Sequence, residues 1–88
     1  MSLIMKDSAS LKHQHLSRLK IGQTAQIVEF QDESHISQRL QEMGVTPGES
    51  VKVIRFAPLG DPIEIEVRGY RLSLRRQEAD VILVRLLP

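Results

Sequence analysis

The side chains able to do chemistry in this chain are few, and their spacing excludes more than it offers. There is no cysteine, so thiolate metal sites, disulfides and thiol nucleophiles are absent. No serine sits in a Gly-x-Ser-x-Gly turn, and no Gly-x-x-x-x-Gly-Lys loop is present to cradle a nucleotide phosphate. Glu64 and Glu66 alternate with apolar residues, which puts both carboxylates on the outer face of a strand and makes them solvated rather than catalytic. The chain is therefore expected not to be an enzyme. For metal, the candidates are His13, His15 and His35, with Asp32 and Glu33 beside His35 as hard oxygen donors suited to Fe(II) or Mn(II). His13 and His15 share a face only on extended backbone; on a helix they point about 200° apart. No preorganised set follows from such spacing, so weak binding of a divalent transition metal is the most that is expected, with no cofactor.

The bulk properties narrow the partners. The 88 residues carry 12 Lys plus Arg against 11 Asp plus Glu, a net charge of +1. Such a balance gives no general field for phosphate backbones or anionic membranes. Arg68, Arg71, Arg75, Arg76 and Arg85 gather in the last third, but Tyr70 is the one aromatic near them, so a solvated arginine face is expected and nucleic acid is not. The longest apolar run, Val81 to Val84, is too short to span a bilayer, and no leader-like segment opens the chain, which points to a cytoplasmic protein without membrane insertion. Met1-Ser2-Leu3 reads as cloning residue with Met5 as the natural start.

The elements that must position these residues are short. Residues 1–10 have no period and are expected to be disordered, leaving 11–88 as one small domain. Leu11, His15, Leu16 and Leu19 suggest one or two helical turns. Thr24 to Phe30 is β-branched and aromatic enough for a first strand. Ile36, Leu40 and Met43 then fall on one stripe of a helix from Ser34 to Met43, with Ser34 as N-cap, Gly44 as a left-handed stop and Val45 closing on Leu40. Thr46-Pro47-Gly48-Glu49 is a turn. The second strand, Ser50 to Phe56, switches phase between Val53 and Ile54, which calls for a bulge or burial on both faces. Ala57 to Pro62 is a stiff loop, Ile63 to Val67 a cleanly alternating strand, Arg68-Gly69-Tyr70 a reversal, Arg71 to Leu74 a fourth strand, Leu74 to Ala79 a helical turn and Val81 to Leu86 the last strand. Five short strands with one inserted helix suit a small closed barrel, which also leaves no bare strand edge.

Arg39-Leu40-x-x-Met43-Gly44-Val45-x-Pro47-Gly48, Val51-x-Val53-x-Arg55-x-Ala57-Pro58-Leu59-Gly60-Asp61-Pro62, Val67-Arg68-Gly69 and Leu74-Arg75-x-x-Glu78-Ala79 together resemble the FeoA family over roughly Leu16 to Leu86. The resemblance implies a mainly β, SH3-like barrel and a small cytosolic accessory of bacterial ferrous-iron uptake. It further implies a role on the permease FeoB from its cytoplasmic side. The alternative it also implies is a stand-alone metal-responsive domain like the C-terminal domain of DtxR-type repressors, or a small nucleic-acid-binding barrel. The helix and the proline loop are not needed to close a barrel, so Arg39, Leu40, Met43, Leu59 and Asp61 are the expected partner contacts. Leu40 and Met43 serve equally well as a cover for one barrel end.

Overall fold

The computed structural model describes residues 13–88, so the expected disorder of 1–10 lies outside the described residues. In chain order the elements are β1 (His13–His15), a 3-10 turn (Leu16–Arg18), β2 (Thr24–Phe30), α1 (His35–Glu42), β3 (Ser50–Phe56), β4 (Ile63–Val67), β5 (Tyr70–Leu74), α2 (Arg76–Ala79) and β6 (Ile82–Leu86). The strands form one sheet in the order β1-β6-β2-β3-β4-β5, with every pairing antiparallel. β2 to β5 is a meander, and β6 returns to pair with β2 on its other side.

Two expectations are corrected. Among the described residues there are six strands, because His13–His15 is extended and pairs with β6 through His13↔Arg85, Gln14↔Val84 and His15↔Leu83. A three-residue strand is too short to show a period, and its partner lies some seventy positions away, so local sequence favoured helix. The helical signal survives only as the 3-10 turn, which buries Leu16 and Ser17. The sheet is also not closed: among the described residues β1 and β5 are its edges. The three-residue length of β1 and the outward Arg71 on β5 blunt those edges in place of closure.

Packing explains the rest. β4 buries Ile63, Ile65 and Val67 and turns Glu64 and Glu66 to the half-exposed face, as its alternation requires. Burying each of these isoleucines contributes about 2 kcal/mol. The phase switch in β3 is a bulge: its register against β4 shifts between Val53 and Arg55, leaving Ile54 as the extra residue. A second shift in β2 falls between Ile27 and Glu29. The two bulges increase the local twist and bend their strands, helping a six-stranded sheet curl over one aliphatic core, against which Phe30 and Phe56 pack from the rim.

α1 begins where expected. Ser34 Oγ accepts the Ser37 N–H at 3.1 Å, the bond that an N-cap supplies. Its buried face differs from the expected stripe: Ile36 is exposed, while Ser37 joins Leu40 inside. A buried hydroxyl needs a partner, and Ser37 Oγ donates to the carboxylate of Asp32. Among the described residues no helix is long and apolar enough to cross a membrane.

Candidate functional site

β3 and β4 run as a paired ribbon, and the residues singled out from sequence collect at its two ends, separated by roughly 13 Å of strand. At the first end lies the stop of α1. Gly44, at φ +101°, donates its N–H to Gln41 O at 3.1 Å, and Val45 donates to Leu40 O at 3.0 Å, the two bonds of a Schellman motif. Leu40 and Val45 are both buried, so Leu40 belongs to the core. The next turn is stitched to β2, with Gly48 N–H donating to Ile27 O and Ile27 N–H to Glu49 O, each at 2.8 Å.

The β4–β5 hairpin closes over this stop. Its two-residue turn has Arg68 at φ +53° and Gly69 at φ +86°, the type I′ geometry that matches strand twist. Arg68 is thereby aimed at the helix end. A Cβ on Gly44 would lie 2.8 Å from Arg68 Cδ and 3.0 Å from the Tyr70 hydroxyl. The Arg68 guanidinium continues to Glu49 at 3.5 Å. Three separate motifs, Met43-Gly44, Gly48-Glu49 and Arg68-Gly69, are one interlock.

At the other end the Ala57–Pro62 loop is held from inside and from outside. Gly60 N–H donates to Ala57 O at 2.7 Å and Ala57 N–H to Pro62 O at 3.0 Å. From α2, the Arg76 N–H donates to Asp61 Oδ1 at 3.0 Å and its guanidinium to Gly60 O at 3.2 Å. Asp61 therefore binds the loop to α2. Leu59, at the tip between Pro58 and Gly60, is 96% exposed. Beside the loop an open groove of about 730 Å³ is lined by Leu19, Phe56 and Pro58 together with Arg18, Arg76 and Asp80. Asp80 accepts the hydroxyl of Ser17.

The remaining candidates stay apart. His13 and His15 share one face of β1, and His15 Nε2 lies 2.6 Å from Gln31 Oε1. His35 opens α1, and Asp32 is engaged by Ser37. Among the described residues no group of three or more His, Asp or Glu comes together as a metal cluster. Arg39 is exposed on α1, and Met43 is half-buried against the core. In the arginine-rich third Arg71 meets Glu64 at 3.9 Å, Arg68 meets Glu49 and Arg85 donates to the Gln26 amide oxygen, while among the described residues Arg75 and Arg76 form no ion pair; Arg55 on β3 pairs with Glu64 at 2.8 Å. Sequence reasoning did not connect Arg18 and Arg76 to the proline loop, because nothing in local pattern records that the 3-10 turn and α2 meet there.

A family model described as the FeoA domain matches residues 14–86. Among curated proteins, the chain is 38% identical over 72 residues to an Fe(2+) transport protein A/Fe(2+) transporter FeoB fusion protein from Porphyromonas gingivalis. That match takes in 82% of this chain but only 8% of the relative's length. Among solved structures, the FeoA protein of Chlorobium tepidum is 43% identical with a TM-score of 0.81, over 85% of this chain and 71% of that one. Stenotrophomonas maltophilia FeoA, solved with zinc and described as an SH3 domain protein, is 32% identical with a TM-score of 0.72, over 81% of this chain and 88% of that one.

Proposed function

The chain belongs to the FeoA family, associated with ferrous iron transport, and from that membership we propose that it is a small cytoplasmic accessory that docks on the cytoplasmic part of the FeoB permease and acts without catalysing a reaction. The observation that carries this reading is the fusion relative, in which a segment 38% identical to this chain shares one polypeptide with FeoB. Tethering two modules raises their effective concentration to about the millimolar range, an arrangement that serves partners whose contact is needed but weak. The geometry supports docking over chemistry: the helix end of the β3–β4 ribbon is closed by backbone turns and the Arg68–Glu49 ion pair, and the loop end by backbone turns and hydrogen bonds from Arg76. The net charge of +1 and the lone aromatic, Tyr70, near the C-terminal arginines disfavour the nucleic-acid alternative.

The test is reconstitution. Purified FeoB in vesicles takes up Fe(II) with and without this chain, and binding is read in parallel by calorimetry. Saturable binding with altered uptake supports the proposal; absence of both overturns it. Iron here is cargo of the partner, and the scattered histidines make a resident site on this chain weak. Titration with Mn(II), or with Fe(II) under anaerobic conditions, is expected to give a Kd no tighter than about 10 μM, or roughly 7 kcal/mol of binding free energy. Submicromolar affinity lost in His13→Ala, His15→Ala or His35→Ala would overturn that expectation.

A further inference from the structure

The two edges of the open sheet are unequal. β1 offers three residues, His13–His15, whereas β5 offers five, Tyr70–Leu74, in a register against β4 that carries no bulge. The backbone groups on that longer edge follow from the hairpin. A two-residue turn leaves its flanking residues as a hydrogen-bonded pair, here Val67 and Tyr70, and bonded pairs alternate with unbonded ones along an antiparallel ladder. Ile65↔Leu72 and Ile63↔Leu74 are therefore bonded, while Glu66↔Arg71 and Glu64↔Ser73 are not. The N–H and C=O groups of Arg71 and Ser73 thus point away from β4, to the open side. Among the described residues no further strand, turn or cap bonds to them, and both residues are exposed.

An unpaired edge of this kind is a template for another strand. Arg71 blunts it selectively, because like charges placed directly opposite one another destabilise a strand pair. Its guanidinium already has a carboxylate in Glu64, at 3.9 Å, so the position opposite it calls for a small neutral residue. β5 itself carries one in Ser73. A two-fold pairing of this strand with its own copy is antiparallel, and three registers set the outward residues against one another. With Arg71 opposite Arg71, two cations meet and Ser73 faces the turn at Gly69. With Ser73 opposite Ser73, Arg71 faces Arg75. With Arg71 opposite Ser73, no charge faces its like, Leu72 meets Leu72 at the axis, and Tyr70 meets Leu74 on the core-facing side.

We propose that the open edge of β5 is a self-association site, at which two copies of this chain pair antiparallel with Arg71 opposite Ser73 and join their sheets into one. That register uses the N–H and C=O of both outward residues in each copy. A handful of backbone hydrogen bonds and one leucine contact make a small interface, so the pair is weak, with a Kd on the order of 0.1–1 mM. The proposal concerns the chain alone and does not rest on any action on FeoB.

The experiment follows the full chain by sedimentation equilibrium and NMR from about 0.05 to about 2 mM, a range that brackets this affinity. A monomer–dimer equilibrium is expected, with the amides of Arg71 and Ser73 shifting with concentration and gaining protection from hydrogen exchange. Ser73→Arg sets an arginine opposite Arg71 on both sides of the axis and is expected to weaken association about tenfold at low salt, and less at high salt. Its cross-strand neighbour within the chain is Glu64, so an unchanged Tm will verify the fold. Adding Arg71→Thr to Ser73→Arg moves the cation from one position to the other and is expected to return the Kd to within about threefold of the unmodified chain. A chain that stays monomeric throughout the range overturns the proposal, as does a Ser73→Arg variant that associates as tightly as the unmodified chain, or a double variant that does not recover. A dimer dissolved by Leu59→Ser and not by Ser73→Arg lies on the proline loop and overturns it too. If the chain alone is monomeric and the Arg71 and Ser73 amides shift on addition of the cytoplasmic part of FeoB, the edge belongs to a strand of FeoB; self-association is then wrong while the accessory reading stands.

Discussion

The two ends of the β3–β4 ribbon are made from the same materials, a glycine at positive φ, a neighbouring proline, an arginine and a carboxylate, yet they are organised oppositely. At the helix end the arginine folds inward: the Arg68 stem covers Gly44, and its guanidinium finds Glu49. At the loop end the Arg76 guanidinium donates to the Gly60 carbonyl and the Arg76 N–H to the Asp61 carboxylate, holding the loop in place while Leu59 is exposed to solvent. The difference teaches that residue type alone does not decide whether a turn closes against the fold or presents a side chain to solvent. What decides it is whether the polar groups are satisfied against side chains of the fold or used to hold an apolar residue outside it.

The sharpest way to break the comparison is at the glycines. Gly44→Ala combines a left-handed backbone penalty with a Cβ 2.8 Å from Arg68 Cδ, and is expected to cost about 3 kcal/mol by denaturant titration. If the close approach causes part of that cost, adding Arg68→Ala will restore about 1 kcal/mol, a coupling that a double-mutant cycle measures directly. Gly60→Ala faces the same kind of φ, but the nearest atom to its Cβ is Arg76 Nη1 at 3.8 Å. Its expected cost is therefore only the backbone term, about 1 kcal/mol. Equal costs for Gly44→Ala and Gly60→Ala would erase the distinction drawn between the two ends.

Smaller effects sharpen it further. Asp61→Ala removes the acceptor for the Arg76 N–H and is expected to lower stability by about 1 kcal/mol, a drop of roughly 4–8 °C in Tm for a domain of this size. Leu59→Ser is expected to move Tm within error, about 0.5 kcal/mol at most. A large drop in its melting temperature would show that Leu59 packs against the fold after all.

Much of this architecture was legible because it rests on local rules. Ser34 as an N-cap and Gly44 as a Schellman stop follow from backbone geometry and side-chain period, and the structure has both; of the two readings of the Val53–Ile54 phase switch, a bulge or burial on both faces, the structure has the bulge. The Ile36–Leu40–Met43 stripe was only partly right. Helical period fixes which residues share a face, but the neighbour that covers it decided that Ser37 goes in, with Asp32 as partner, and Ile36 stays out.

By itself, then, the sequence determined the elements between Thr24 and Leu86, their order, and the family to which the chain belongs, since motif spacing and local propensity act within a few residues of one another. Only the tertiary structure decided that His13–His15 is a sixth strand, that the sheet stays open, that Arg68 covers Gly44, and that Arg18 and Arg76 line one groove beside the Ala57–Pro62 loop. Each of those is a contact between segments far apart in the chain. Their formation depends on the whole core closing at once, so no local window of residues records them.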